Sequence, residues 1–174
     1  MHKLREIERE DITIINNWRS SKELIEHLGA PFRYINKEVD LEWFESYMRN
    51  RSNTVRCCIL NGENQVIGLV SLTNIDRINQ SAIFHIMIGD TRHRDKGVGY
   101  FATKDILKHA FYDLNLHRVE LTVLQSNKRA IALYEKVGFI KEGVKREGIY
   151  KNGQFANITF MAILKSEFRE GVEE

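Results

Sequence analysis

Alternating and continuous apolar runs predict the strands of this chain. The stretch "HKLREI" alternates and predicts a first strand, and "TVRCCIL" and "QVIGLVSL" predict the next two. Between those two, "NGEN" predicts a turn in which Gly62 accepts a positive φ. "SAIFHIMIG" predicts a fourth strand so apolar that we expect neither of its faces to meet solvent, and "HRVELTVL" predicts a fifth. The C-terminal segment predicts two or three further strands around a type I′ hairpin at Asn152-Gly153.

Helical spacing of apolar residues predicts four helices between these strands. The first two cover residues 11–28 and 40–50. A third begins after "DKGVG" and runs to about Asp113, and a fourth covers residues 128–137 and is stopped by Gly138. The resulting order is strand, two helices, three strands, helix, strand, helix, hairpin. This order predicts an α/β protein with a mixed sheet and helices on both faces.

Composition restricts the class of protein. The chain has 174 residues, 43% hydrophobic and 29% charged, which is ordinary for one soluble globular domain. A net charge of +2 argues against nucleic acid as a partner, because nucleic-acid binding usually requires a strongly basic face. No apolar run reaches the ~18 residues that span a membrane, and no signal peptide is recognisable. We therefore expect a cytoplasmic protein with no membrane partner.

Cysteine and histidine spacing predicts no metal site and no disulfide. Cys57 and Cys58 are adjacent and are the only cysteines, an arrangement that suits neither a structural disulfide nor zinc. The six histidines show no HExxH or comparable ligand spacing. We expect both thiols to be reduced side chains in a strand.

The stretch "TRHRDKGVGYFATKD", residues 91–105, places basic residues and two glycines in front of a helix. The first N–H groups of a helix are unpaired and attract anions, and glycine allows the backbone to approach a ligand closely. A pyrophosphate would suit such a turn. A solvated basic loop would have the same composition, so this stretch alone leaves both interpretations open. The basic residues are Arg92, His93, Arg94 and Lys96, and the glycines are Gly97 and Gly99.

A dinucleotide-binding fold is the main alternative for this turn. "GVGYFA" fits G-x-G-x-x-A, and the acidic Glu120 lies about 20 residues further on. However, "DTRHRDK" separates the glycines from the preceding strand, whereas the dinucleotide turn follows its strand directly. Glu120 also falls in the middle of a strand, and three strands precede the unit. These features argue against dinucleotide binding.

Three stretches together resemble the GNAT family of N-acetyltransferases. "RDKGVG" matches Q/R-x-x-G-x-G/A, the acetyl-coenzyme A turn of that family. "NKRAIALYEKVGF" is similar to its second landmark, an Asn, an Ala and a Tyr closed by Gly-Phe. The ending "YKNGQFANITFMAIL" resembles the subgroup that acetylates protein N-termini, polyamines and other small amines. The resemblance covers nearly the whole chain and implies one acetyltransferase domain over residues 1–174, with a mostly antiparallel sheet of six to seven strands.

The resemblance also implies which residues bind acetyl-coenzyme A, the cosubstrate. In this family the backbone amides of the turn hold the pyrophosphate, and the preceding strand pairs its backbone with the pantetheine arm. Asn127 matches a position that touches the coenzyme, although Asn also favours a helix N-cap. The implied coenzyme residues are Ile86, Ile88, Arg94, Asp95, Lys96, Gly97, Val98, Gly99, Asn127 and Tyr134.

Tyr134 matches the general acid of the family. A phenol has a pKa near 10, so it is protonated and can donate a proton to the departing thiolate. For the general base the chain departs from the family, because Ile83 stands where many relatives have Glu. His85, on the same strand face, and Glu120, on the next strand, are the candidate bases. A water chain that relays the proton to solvent is a third possibility.

The acceptor is a primary amine if the resemblance holds, and its binding region maps to residues 18–45 and 145–157. The mild acidity of residues 21–50 suits a cationic amine, or ordinary solvated helix faces. "NNWRSSKEL" instead resembles relatives that acetylate amino sugars on nucleotide carriers, and Asn157 stands where the subgroup often has Asp. A coenzyme-binding sensor that has lost catalysis is the alternative function, and a homodimer is a further possible partner.

Overall fold

The computed structural model describes residues 1–170 and contains one sheet of seven strands. Its strands are β1 (Lys3–Glu6), β2 (Val55–Leu60), β3 (Val66–Asp76), β4 (Ser81–Ile88), β5 (Arg118–Leu124), β6 (Ile140–Lys151) and β7 (Gln154–Leu164). Their spatial order is β1-β2-β3-β4-β5-β7-β6. The pair β4–β5 is parallel, and every other neighbouring pair is antiparallel. The predicted mixed, mostly antiparallel sheet is therefore confirmed.

Five α-helices accompany the sheet: α1 (Ile12–Arg19), α2 (Lys22–Glu26), α3 (Lys37–Arg49), α4 (Val98–Lys108) and α5 (Lys128–Val137). The prediction of one helix over 11–28 was wrong, because the Ser21 side chain accepts from the Leu24 amide and starts a separate helix. The second predicted helix begins earlier than residue 40, since Asn36 caps it by accepting from the Val39 amide. α4 continues into a π-helical turn that ends at Asp113, as far as the sequence predicted.

Helices cover both faces of the sheet, and each face has its own apolar core. α4 and α5 pack on one face, where the fully buried Phe111 and Leu107 meet Val70 and Leu72 of β3. α1, α2 and α3 pack on the opposite face over β1–β3, around Ile12. Burying these apolar side chains stabilises the layers by roughly 1.5–3 kcal/mol for each large residue.

The part of the second face formed by β4 and β5 is not covered. His85 of β4 is exposed there, so the expectation that this strand has no solvent-facing side was wrong. His85 lies opposite Ser71 of β3, which in turn lies opposite Arg56 of β2. A row of polar side chains therefore crosses the sheet beside α3.

The parallel strands β4 and β5 separate soon after they pair. Only Ser81, Ala82 and Ile83 have partners on β5, the last of them opposite Glu120. Beyond these pairs the remainder of β4, up to Ile88, has no β5 partner. The separation leaves an opening in the middle of the sheet, at the carboxyl ends of both strands.

Two turns test the sequence predictions in detail. Asn152 and Gly153 have φ values of 52° and 82°, as a type I′ hairpin requires. In "NGEN" the positive φ falls on Asn64 rather than on Gly62, because the Asn61 side chain accepts from two later amides and fixes the loop.

Cys57 and Cys58 are both free thiols. No helix within residues 1–170 is long and apolar enough to cross a membrane.

Candidate active site

A cleft of about 660 Å³ opens where β4 and β5 separate. One wall is the end of β4 with the following turn and the start of α4, and the other is the first half of α5. The end of α2 and the residues after it close one side through Leu24, His27 and Leu28. The cleft therefore extends from the basic turn to α2, one of the helices on the opposite face of the sheet.

The turn before α4 exposes backbone amides because of its unusual dihedral angles. Asp95 has φ of 61° and Gly97 has φ of 76°, and Gly97 is the N-cap of α4. Within residues 1–170 no side chain caps this helix, whereas Asn127 caps α5. A Cβ on Gly97 would meet no atom of the described residues within 4 Å, so the glycine is favoured by its left-handed φ and not by crowding. The first amides of α4 therefore remain free to bind an anion in the cleft.

Carboxylates around the turn pair with two of the nearby arginines, Arg92 and Arg129. Arg92 donates two hydrogen bonds to Asp90, which lower the pKa of that carboxyl to about 2. Arg129 of α5 reaches Asp95 of the turn, with 2.7 Å between nitrogen and oxygen. Arg94 is half-buried and lines the cleft directly.

Tyr134 lines the cleft from α5 and is fixed by aromatic neighbours. Its ring makes edge contacts with Phe84 of β4 and Phe139, with centroids 5.9 and 5.8 Å away. Burial raises the pKa of the Tyr134 phenol to about 12. The phenol is consequently neutral at every ordinary pH and can act only as a proton donor or a hydrogen-bonding group.

Asn127 performs two structural tasks at the start of α5. Its side-chain oxygen accepts from the Ala130 amide, which makes it the N-cap. Its amide nitrogen donates to the backbone oxygen of His27, 3.1 Å away, and so ties α5 to the segment that follows α2. Asn127 also lines the cleft, so capping and ligand contact are compatible.

The two candidate bases lie outside the lining of the cleft. His85 sits on the uncovered sheet face, and its Nε2 is 3.0 Å from the Thr73 hydroxyl. Although part of the ring meets solvent, desolvation by its neighbours on the sheet, with a further contribution from the nearby Arg56 charge, lowers the pKa of His85 below its usual 6.5, which keeps the imidazole neutral at pH 7. Glu120 faces the same side opposite Ile83, but its carboxylate accepts from Arg118, 3.1 Å away.

A smaller recess of about 210 Å³ adjoins the cleft on the side of α2. It shares His27, Ser126 and Asn127 with the cleft. Apart from Leu124 at the end of β5, its remaining walls come from the residue at the end of α2 and from the β6–β7 hairpin, the two regions to which the family resemblance maps the acceptor. Those walls are formed by Glu26, Leu124, Lys151, Asn152, Gln154 and Ala156.

The structure brings most of the sequence-predicted coenzyme residues into one cleft. Lys96 is the exception, because it is exposed at the tip of the turn and does not line the cleft. Sequence reasoning missed the contribution of α2, since Leu24, His27 and Leu28 carry no motif. It also gave no role to the basic residues Lys128, Arg129 and Lys136 of α5, which were visible inside "NKRAIALYEKVGF".

Comparison with known proteins places this geometry in a family. The acetyltransferase (GNAT) domain profile matches residues 3–140. The chain is 30% identical over 166 residues to spermidine N(1)-acetyltransferase of Vibrio cholerae, covering 95% of this chain and 94% of that protein. It is 28% identical over 167 residues to the Escherichia coli K12 spermidine N(1)-acetyltransferase, covering 95% and 87%.

A solved structure agrees with the sequence comparison. Vibrio cholerae spermidine N-acetyltransferase in complex with CoA and spermine superposes with a TM-score of 0.90 at 30% identity, covering 95% of this chain and 96% of that one. An open parallel pair, an uncapped helix start after a basic turn and a neutral tyrosine in one cleft suit a thioester cosubstrate. This chain belongs to the GNAT acetyltransferase family and is an N-acetyltransferase that moves acetyl from acetyl-coenzyme A to a primary amine.

Proposed function

We propose that the acceptor of this acetyltransferase is a polyamine of the spermidine type. The observation that carries the proposal is the recess beside the cleft, which has a carboxylate, Glu26, on its wall next to side-chain amides of the hairpin. Carboxylate and amide oxygens suit an ammonium group. Similarity over the full length to spermidine N-acetyltransferases supports the same acceptor class.

The coenzyme occupies the cleft in this proposal. The amides of Gly97, Val98 and Gly99 hold the pyrophosphate at the start of α4, with Arg94, Asp95 and Lys96 forming the rest of the turn. Ile86 and Ile88, which have no β5 partner, offer free backbone groups to the pantetheine arm. Asn127 contributes from the start of α5.

Two protein groups then assist the acetyl transfer, one as a general acid and one as a general base. The free amine attacks the thioester carbonyl carbon, a C–N bond forms, and the C–S bond breaks with its electron pair going to sulfur. The Tyr134 phenol donates its proton to that sulfur, and the resulting phenolate then takes a proton from water.

We infer that His85 receives the proton lost by the amine. Its lowered pKa keeps it unprotonated at pH 7, and it lies on the open face next to the position of Ile83. Glu120 is the second candidate base, although the bond to Arg118 occupies its carboxylate. Either group would pass the proton to solvent.

One observation favours a second acceptor class, an amine that also carries an anionic group. The Arg56 guanidinium stacks over Trp43, 4.6 Å from the ring centroid, on the same sheet row as His85. Its buried Nε has no hydrogen-bond partner within residues 1–170, and burial lowers its pKa. A carboxylate or phosphate of an amino sugar nucleotide would satisfy this group.

An acceptor screen separates these two classes. The enzyme is supplied with acetyl-coenzyme A and, in turn, spermidine, spermine, an amino sugar nucleotide and an N-terminal peptide, and thiol release is measured. We expect kcat/KM for spermidine to exceed that for every anionic amine by at least about tenfold. A reversed order, together with loss of the anionic activity in Arg56→Met, would replace the polyamine with an anionic acceptor.

We also propose that the enzyme acts in the cytoplasm and is a homodimer. The surface that would support a dimer is the edge hairpin, whose exposed apolar side chains include Tyr150 at 57% and Phe155 at 63% exposure. Light scattering coupled to gel filtration measures the mass, and a strictly monomeric mass at micromolar concentration would contradict the dimer.

A further inference from the structure

Lys151 is the only buried lysine among residues 1–170, with 9% of its surface exposed. It lies at the tip of the β6–β7 hairpin, where a lysine would ordinarily extend into solvent. Instead its Nζ points inward and donates to the backbone oxygens of Ile25 and Ala30, at 2.7 and 2.8 Å. The desolvation of the ammonium is offset by these two hydrogen bonds.

These two oxygens belong to a segment that is held from its other side as well. The segment comprises residues 25–30, that is, the last two residues of α2 and the four that follow. The Asn127 side chain donates to the backbone oxygen of His27 within it. Three of its carbonyl oxygens are therefore bound by side chains that lie more than 90 residues further along the chain. Together with the burial of Ile25, these three bonds hold the segment against α5 and the hairpin.

The same segment forms a wall of both ligand spaces. His27 and Leu28 line the coenzyme cleft, while Glu26 and His27 line the adjoining recess. Asn127 holds the segment where the cleft and the recess meet, and Lys151 holds it from the hairpin side of the recess. A shift of this segment would alter the recess directly and would move Glu26 relative to the cleft.

We propose that Lys151 is a positioning residue for the acceptor: it holds residues 25–30 against the hairpin in the arrangement that forms the acceptor recess. It does not touch the reacting atoms. The inference rests on the proposed acceptor location but not on the identity of the amine. It predicts that loss of the ammonium weakens acceptor use while coenzyme binding, which depends mainly on the α4 turn, persists.

The test compares Lys151→Met, Lys151→Arg and a matched control, Lys165→Met. Methionine keeps the apolar stem but removes the donors, and arginine keeps a charged donor. The Lys165 ammonium donates to Asn115 and lies over the Tyr112 ring, and Lys165 lines neither ligand space. With spermidine as the acceptor, we expect the spermidine KM of Lys151→Met to rise ~10- to 100-fold, with kcat and the coenzyme Kd within about threefold of the parent. Lys151→Arg should recover part of the loss, and Lys165→Met should match the parent.

Hydrogen exchange supplies a readout that does not depend on turnover. The amide of Leu28 donates to the Ile25 oxygen that Lys151 also binds, so it reports on the segment. In Lys151→Met, peptides covering residues 24–30 should exchange at least about tenfold faster, while peptides of α4 should not change. Unchanged exchange would show that Lys151 does not hold the segment and would overturn the proposal.

The kinetic outcomes distinguish positioning from simple stabilisation. A lower melting temperature with an unchanged spermidine KM would mean that Lys151 only stabilises the fold, and the proposal would be wrong. If the parent does not acetylate spermidine, the polyamine proposal fails, and KM is measured instead with the best amine of the acceptor screen. If no amine is used, the exchange experiment alone decides whether Lys151 holds the segment.

Discussion

Replacing Tyr134 with phenylalanine tests whether its phenol is the general acid. The ring would keep its edge contacts with Phe84 and Phe139, and within residues 1–170 the hydroxyl makes no hydrogen bond that the change would remove. We therefore expect a melting temperature equal to or slightly above that of the parent. Since the phenol acts in the transition state, coenzyme affinity should stay near the parent value while kcat falls by ~10²–10⁴.

The buried environment of Tyr134 sets the expected pH dependence. Burial raises the pKa of Tyr134 from 10.0 to about 12, which adds ~2.7 kcal/mol to the cost of ionising the phenol. Because the pKa is raised, the phenol keeps its proton below pH 10 and loses it only as the pH rises through about 12. The parent should therefore show no alkaline loss of kcat up to about pH 10.5 that is due to this tyrosine.

The assay measures thiol release at saturating spermidine and acetyl-coenzyme A over pH 6–10.5, with single-turnover rates to confirm that chemistry limits. A Tyr134→Phe enzyme that turns over at the parent rate would show that the thiolate leaves without an acid. An alkaline limb with a midpoint near 9 that disappears in Tyr134→Phe would instead contradict the inference from burial.

The other site residues give further predictions. Gly97→Val should weaken coenzyme binding at least about tenfold, because a branched residue is strained at the left-handed φ on which the exposed amides of the turn depend. Gly143→Val, at an exposed glycine without a positive φ, should leave the affinity unchanged, and calorimetry measures both. Arg94→Ala should cost ~1–3 kcal/mol of coenzyme affinity and reduce its salt dependence, and parent-like affinity would remove Arg94 from the site. Because the pKa of His85 is lowered, the parent should lose kcat only below pH 6.5, and His85→Gln should abolish that acid limb; a retained limb would transfer the role of base to Glu120 or water.

Much of the fold followed from the sequence because its local signals agree with the tertiary packing. Asn152-Gly153 specified its hairpin, and Gly138 stopped α5 with φ of 119°. The break between α1 and α2 escaped notice because Ser21 is an ordinary polar residue until its side chain caps a helix. The positive φ in the first hairpin fell on Asn64 because side-chain bonds from Asn61 outweighed the intrinsic preference of Gly62.

The coenzyme turn was predictable residue by residue, whereas the acceptor side was mapped only to two broad regions, 18–45 and 145–157. A short motif marks the turn because the left-handed φ at the start of α4 favours glycine at position 97. The recess, in contrast, brings Glu26 and Lys151, which lie on separate elements and carry no local pattern, together with Asn127. Only tertiary structure shows that Lys151 turns inward, since its sequence context is that of an exposed hairpin.

The central claim is that acetyl moves directly from acetyl-coenzyme A to a polyamine. It is tested most directly by measuring, in one reaction, the ratio of free thiol released to acetylspermidine formed, with the intact mass of the protein recorded alongside. The account predicts one acetylspermidine for each thiol and no acetyl adduct, because Cys57 lies outside the cleft lining and its burial raises the pKa of the thiol to about 11. Thiol release without acetylspermidine, or a protein acetyl adduct that spermidine discharges, would contradict direct transfer to a polyamine.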